Sequence, residues 1–156
     1  VAQRHGFTPA MFEAGWNVFT GLEVARPMRG YADLHSLAAI PAERFLVTSG
    51  FRRFQQSKIR ALGISALFTA IHIDAIDEPD RQGKRGLFLE LIDAYQFRRE
   101  DVLVVGDNPE SEIEAGNSLG LRTVQILRPG VSRGSNANHY IDSLTELLPL
   151  LAPRGS

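Results

Sequence analysis

"VVGDNPESEIEAG", residues 104–116, is the stretch on which the reading of this chain turns. Val102 to Val105 form a continuous apolar run, and Gly106-Asp107 ends it with a carboxylate. An Asn108-Pro109 turn follows, then a helix start carrying Glu110, Glu112 and Glu114. An apolar run of this kind marks a strand covered on both faces of a parallel sheet. Open α/β sheets collect their functional groups at the carboxyl ends of the strands. Asp107 stands in that position.

Upstream, "RFLVTSG" holds a second apolar strand, residues 44–47, that ends in two hydroxyls and a glycine. Phe51 to Leu62 reads as a helix with Phe51, Phe54, Ile59 and Leu62 as apolar contacts and Gly63 as its stop. Another strand is predicted around Ala66 to Ile71, with an acidic, turn-rich loop from Asp74 to Gly83. Lys84 opens a helix with Leu87, Phe88, Leu91, Ile92 and Tyr95 on one side. Beyond the opening stretch, the helix runs to Gly120, "RTVQIL" is a strand, and "HYIDSLTELLPLL" closes with a strand and an amphipathic helix. Strand and helix alternate from about Phe45 onward. This pattern predicts an α/β fold, a parallel sheet with helices on both faces.

The N-terminal part is different. Thr8-Pro9 starts a helix, Thr as cap and Pro at the first position. Phe7 and Phe12 have the spacing of a hydrophobic staple around it. Phe12, Gly15, Trp16 and Phe19 fall on one face, where core packing is the expectation. Gly21 to Gly30 reads as loop, and Tyr31 to Ala39 as a short helix ending before Pro41.

The chain has 156 residues, 44% of them hydrophobic, which suits one sizeable core. A net charge of −1 advertises no nucleic acid and no anionic membrane. The absence of Cys excludes disulfides and thiolate metal sites and fits a cytoplasmic setting. No apolar run approaches the ~18 residues of a transmembrane helix. The first residue is Val1 rather than Met, and Ala152 to Ser156 resembles a tag remnant.

The polar strand ends suggest phosphate chemistry. Thr48, helped by amides near Ser49 and Gly50 at a helix start, suits a phosphoryl oxygen. Lys84 can neutralise charge that develops on that group. Asp107 would repel a phosphate unless a cation lay between them, which implies Mg2+, a hard ion satisfied by one or two carboxylates, waters and phosphate. Glu112 could bind a metal-bound water, orient Lys84, or simply favour the helix N-terminus. Taken singly, each residue has a plainer use: Thr48 and Asp107 as caps, Lys84 as a solvated charge. Glu110 and Glu114 read as solvated.

In that order the motifs resemble the haloacid dehalogenase-like (HAD) hydrolase superfamily. "FLVTSG", Lys84 at a helix start and "VLVVGDNPESEIEAGNSLGLRTVQIL" look like its second, third and fourth motifs. "YIDSLTEL" resembles the usual end of such domains, and the likeness covers Pro27 to Leu148. It implies a Rossmann-like fold and Mg2+-dependent phosphoryl transfer from a small phosphorylated substrate through an aspartyl-phosphate. Carried over, Thr48, Ser49 and Gly50 bind the phosphoryl oxygens, Lys84 stabilises their charge, Asp107 ligates the metal, and Glu112 stands behind it. The family more often has Asp at Glu112, and prolines after the lysine where this chain has Arg85-Gly86. The dehalogenase branch typically lacks the Gly-Asp pattern, which favours a phosphatase.

The family's first motif, an apolar strand ending Asp-x-Asp that carries the nucleophile, is absent. The pair Asp74 and Asp77 has the wrong spacing and follows Thr48 instead of preceding it. The implied organisation is residues 1–27 as part of a helical cap, 28–150 as a core lacking its first strand, and 151–156 as a tail. The expectation is that this polypeptide by itself does not hydrolyse phosphate esters and is a fragment of a longer enzyme. A truncated or degenerate binding module is the alternative. A phospho-acceptor receiver domain accounts less well for the Gly-Asp-x-x-x-x-Glu segment and would also want an N-terminal acidic cluster.

Overall fold

A computed structural model describes residues 6–151. The predicted tag remnant at 152–156 lies outside them. Two compact units are present. The first joins residues up to Arg29 with Phe45–Arg81, and the second joins Gly30–Arg44 with residues from Gln82 onward.

The first unit contains helix α1 (Pro9–Gly21), strand β1 (Phe45–Gly50), helix α2 (Arg52–Leu62) and strand β2 (Ala70–Ala75). Thr8 caps α1 as its sequence predicts, accepting from the Met11 amide at 3.2 Å. Strands β1 and β2 are parallel, with Thr48 opposite Ile73 and Ser49 opposite Asp74. Helix α2 stops at Gly63, whose φ of +65° is the left-handed conformation that glycine adopts without a Cβ penalty.

Two expectations change here. The predicted strand at Ala66 to Ile71 begins later, at Ala70, because Ser65–Leu67 forms a 3-10 turn. Asp74, predicted as loop, is consequently the fifth residue of β2. The predicted core face of α1 is not a buried one: Phe12 and Phe19 are 58% and 51% exposed, and Gly15 and Trp16 are half-buried. Instead the rings associate among themselves. Trp16 stacks on Phe12 at 5.8 Å between centroids, and both Trp16 and Phe19 meet Phe51, at 5.2 and 5.5 Å.

The second unit contains a 3-10 helix (Ala32–Ala39), helix α3 (Gly83–Tyr95), strand β3 (Leu103–Gly106), helix α4 (Glu114–Ser118), strands β4 (Arg122–Ile126) and β5 (His139–Ile141), and helix α5 (Leu147–Leu150). Its three strands are parallel in the order β3-β4-β5. The apolar core gathers Ile40, Val124, Ile126, Ile141 and Leu147. Leu87, Phe88, Leu91 and Ile92 form the buried side of α3, as their spacing predicts, whereas Tyr95 is exposed.

Residues 30–44 are fastened to this unit by Asp33. Its carboxylate accepts from Arg128 at 2.9 and 3.0 Å, from the Leu144 amide at 2.8 Å and from the Ser143 hydroxyl at 3.2 Å. Burial pushes the Asp33 carboxyl up, but the Leu144 amide and the Arg128 guanidinium outweigh it and hold it below its ordinary value.

Strands and helices thus alternate in parallel α/β order, as the hydrophobic pattern predicts. The hydrogen-bonded ladders form two sheets, one in each unit. Strand β3 buries only Val104 fully. It lies at the edge of its sheet, so its apolar run is less covered than the sequence predicts. Among the described residues, no helix is long and apolar enough to cross a membrane.

Candidate active site

The predicted site residues divide between the units. Lys84, Asp107 and Glu112 belong to the second; Thr48, Ser49 and Gly50 belong to the first.

In the second unit, β3 delivers Asp107 just past its last residue, and the chain then enters a wide π-type turn, Pro109–Ile113. Asn108 starts that turn by accepting from the Glu110 amide at 2.9 Å, and Pro109 takes the first helical position, where no donor is needed. Turns of this width occur often at functional sites. Here the turn folds Glu112 back across the strand end. A Cβ at Gly106 would meet Glu112 Cβ at 2.5 Å, so glycine is required by that crossing.

Glu112 then reaches Lys84, the second residue of α3, at 2.6 Å. Both side chains are largely buried, 11% and 15% exposed. Glu112 also accepts from the Asn108 amide at 3.2 Å and the Ser111 hydroxyl at 3.1 Å. Burial alone would raise its carboxyl, but the Lys84 hydrogen bond and charge, with backbone donors, hold it below the ordinary value. Glu112 is therefore ionised and anchors Lys84, one of the three roles its sequence position allows. Glu110 and Glu114 are exposed, as predicted.

The Asp107 side chain is exposed, and none of the described residues hydrogen-bonds or ion-pairs with its carboxylate. Its backbone is fixed by a residue that the sequence reading passes over. Gln125 on β4 is fully buried, and its Nε2 donates to the carbonyls of Asp107 at 3.0 Å and Ser132 at 2.9 Å. Its Oε1 accepts from the Gly134 amide at 2.8 Å. The signal for it was present, a lone amide inside the apolar "RTVQIL".

Among the described residues there is no group of three or more His, Asp or Glu side chains that could enclose a metal ion. The donor set suits Mg2+ in a restricted sense. One exposed carboxylate at a strand end is what an octahedral ion needs from a protein when waters and a phosphate supply the rest. Glu112 is committed to Lys84 and is not available as a direct ligand in this state.

In the first unit, Thr48 and Ser49 sit at the end of β1 and Gly50 closes it with φ +147°. The Thr48 hydroxyl donates to Gln55 Oε1 at 3.3 Å. The Ser49 hydroxyl donates to Asp74 at 2.9 Å, and Asp74, whose side chain is wholly buried, is paired with Arg81 at 2.8 Å. Asp77 caps α2 by accepting from the Arg52 amide at 2.9 Å. Asp74 and Asp77, the pair with the wrong spacing for a nucleophile motif, are thus both engaged in holding this strand end.

The sequence model of the haloacid dehalogenase-like hydrolases matches residues 22–120. The chain is 29% identical over 110 residues to the N-acylneuraminate-9-phosphatase of Mus musculus, covering 68% of this chain and 44% of that protein. It is 32% identical over 78 residues to the enolase-phosphatase E1 of Sorangium cellulosum, covering 50% of this chain and 32% of that one. The chain therefore spans less than half the length of these relatives. Among solved structures it resembles a HAD phosphatase from Thermococcus onnurineus, with TM-score 0.65 and 25% identity over 78% of this chain and 57% of that chain. It also shares its fold with a HAD-hydrolase from Bacillus subtilis bound to magnesium, with TM-score 0.63 and 23% identity over 76% of this chain and 52% of that one.

Proposed function

Since this chain belongs to the haloacid dehalogenase-like hydrolases, we propose that it forms the larger part of the machinery of a Mg2+-dependent phosphatase acting on a small phosphorylated metabolite. The observation that carries this reading is the contrast between two carboxylates one and six positions past the end of β3: Asp107 left open, Glu112 neutralised by Lys84. A site that keeps one carboxylate unpaired at a strand terminus is equipped for a cation and the anion that accompanies it.

In this reading Thr48 and the amides of Ser49 and Gly50 hold the phosphoryl oxygens, using the start of α2 as an anion-binding end. Lys84, fixed by Glu112, faces the charge that accumulates during transfer. Asp107, fixed through Gln125, would hold Mg2+, which when bound supplies charge neutralisation between carboxylate and phosphate. The nucleophile is an aspartate on a strand outside this chain; the phosphoryl group passes to it as the substrate's alcohol leaves, and water then releases inorganic phosphate. The setting is cytoplasmic, in keeping with the absence of Cys.

The absence of an Asp-x-Asp strand from this sequence favours a second reading, a binding module without turnover. The test is hydrolysis of an aryl phosphate by the full-length protein, with Mg2+ and with excess chelator. Turnover that depends on the metal supports the phosphatase. Tight binding of inorganic phosphate with no turnover under any condition supports the module.

A further inference from the structure

The buried face of α2 is unusual in being polar: its buried members are Gln55, Ser57 and Ile59. Ser57 has a structural use, accepting from the Val24 amide at 2.8 Å and donating to the Phe54 carbonyl at 2.8 Å. Gln55 has a different one. Its side chain runs back from the first turn of α2 to the end of β1 and clasps both residues there. Oε1 accepts from the Thr48 hydroxyl at 3.3 Å, and Nε2 donates to the Ser49 carbonyl at 3.0 Å.

The clasp has a defined orientation. Turning the amide over would set its oxygen against the Ser49 carbonyl and its NH2 against a hydroxyl, losing the Ser49 hydrogen bond. It also explains Gly50, where a Cβ would come within 2.3 Å of Gln55 Nε2. The φ of +147° at Gly50 adds a backbone reason for the same residue. Two features of the strand end, a glycine and a buried amide, therefore serve one contact.

We infer that Gln55 is the positioning residue of Thr48: it fixes the hydroxyl oxygen at the strand end and accepts its hydrogen bond until a phosphoryl oxygen replaces it as the acceptor. The inference rests on the phosphatase reading, in which Thr48 binds the phosphoryl group. A hydroxyl has one proton to give. When the anion arrives, the Thr48 O–H swings from Gln55 Oε1 to the phosphoryl oxygen, while the Ser49 contact keeps the amide in place. No bond to carbon or phosphorus changes in this step; a single hydrogen bond is exchanged for a stronger, charge-assisted one. Without Gln55 the hydroxyl samples its other rotamers, and binding must freeze it.

The experiment is a cycle on the full-length enzyme with an aryl phosphate, comparing Thr48→Val, Gln55→Met and the double variant, each checked by thermal melting. Loss of an anion-binding donor at Thr48 is expected to lower kcat/KM by about 100-fold. Gln55→Met is expected to lower it by about 10-fold, and the double variant to be no worse than Thr48→Val alone. Multiplicative losses would overturn the inference, as would a Gln55→Met enzyme with lowered melting temperature and unchanged kcat/KM. A Thr48→Val enzyme with wild-type kinetics would instead defeat the phosphate-site reading, leaving Gln55 nothing to position. A second measurement needs no turnover and no Gln55 variant. Titrating the wild-type protein with inorganic phosphate is expected to shift the Gln55 side-chain amide resonance, and to shift it far less in Thr48→Val. An unmoved resonance at saturating phosphate overturns the inference.

Discussion

Lys84 Nζ lies 2.6 Å from Glu112 Oε1, and neither side chain is more than 15% exposed. The pair joins the start of α3 to the turn that follows β3. Its burial distinguishes it from exposed pairs in the same chain such as Arg98 with Asp101, whose side chains are 70% and 56% exposed. Exposed pairs contribute little, whereas breaking a buried pair leaves one charge without compensation.

Taken singly, Lys84 reads as a solvated charge, whose loss would leave folding nearly intact. The buried contact changes that expectation. Lys84→Met and Glu112→Leu should each destabilise the protein by about 3 kcal/mol, because each removes a buried counter-charge of the other. The double variant should recover most of that loss, since an apolar pair replaces an ionic one. Turnover should not recover with it. Melting temperatures and aryl-phosphate kinetics on the same three variants check both halves. Recovery of activity in the double variant would show that Lys84 serves the fold alone.

Asp107 makes the opposite prediction. Its carboxylate is exposed, without a partner among the described residues, so Asp107→Asn removes charge without breaking a contact. The melting temperature should move by no more than the equivalent of about 0.5 kcal/mol. Hydrolysis should fall by at least about 100-fold, and added Mg2+ should no longer stimulate it. Retained metal-dependent turnover would move the metal to other ligands.

Gln125 tests whether the backbone at Asp107 needs its anchor. Leucine at this position would strip one donor from the carbonyls of Asp107 and Ser132 and one acceptor from the Gly134 amide. Three part-buried backbone groups would lose a partner, at up to about 1–3 kcal/mol each and with overlap among them. Gln125→Leu should therefore lower stability by several kcal/mol and raise the Mg2+ concentration needed for half-maximal activity. A variant with reduced stability and an unchanged metal requirement would confine Gln125 to packing.

The difference between Gln125 and Asp107 shows what the sequence could disclose. Asp107 was legible because its position is set by a local pattern, an apolar run that ends in Gly-Asp before a helix start. Lys84 and Thr48 were legible for the same reason, each standing at the beginning or end of an element. The roles of Gln55 and Gln125 were not, because an amide inside a helix or a strand, even one as isolated as Gln125 in its apolar strand, carries no local mark of what it reaches. Their partners lie at Thr48, Ser49, Ser132 and Gly134, and only folding brings those groups within hydrogen-bond distance. The same holds for α1: its periodic apolar face predicts burial, yet Phe12 and Phe19 remain half exposed. Periodicity identifies a face without identifying what covers it. Strand β2 was displaced by four residues because Ser65–Leu67, apolar at both its later positions, is a 3-10 turn that imitates the opening of a strand.

Asp33 gives the pH dependence. Its carboxyl is held below the ordinary value of 3.8, since the Leu144 amide and Arg128 overcome the effect of burial. A lowered native value means that the unfolded chain binds the proton more readily than the folded one. The stability contributed by Asp33 is therefore complete above about pH 4 and is lost as pH falls through the native value. Asp33→Asn removes that ionisation while keeping the size of the side chain. Near pH 7 the variant should be less stable than wild type by about 2 kcal/mol, the scale of hydrogen bonds to a charged group. As pH falls through the native value the two proteins should converge. Denaturant unfolding at pH 7, 4 and 3 measures the gap directly, and a gap that stays constant across that range would show that the charge of Asp33 contributes nothing to holding residues 30–44 in place.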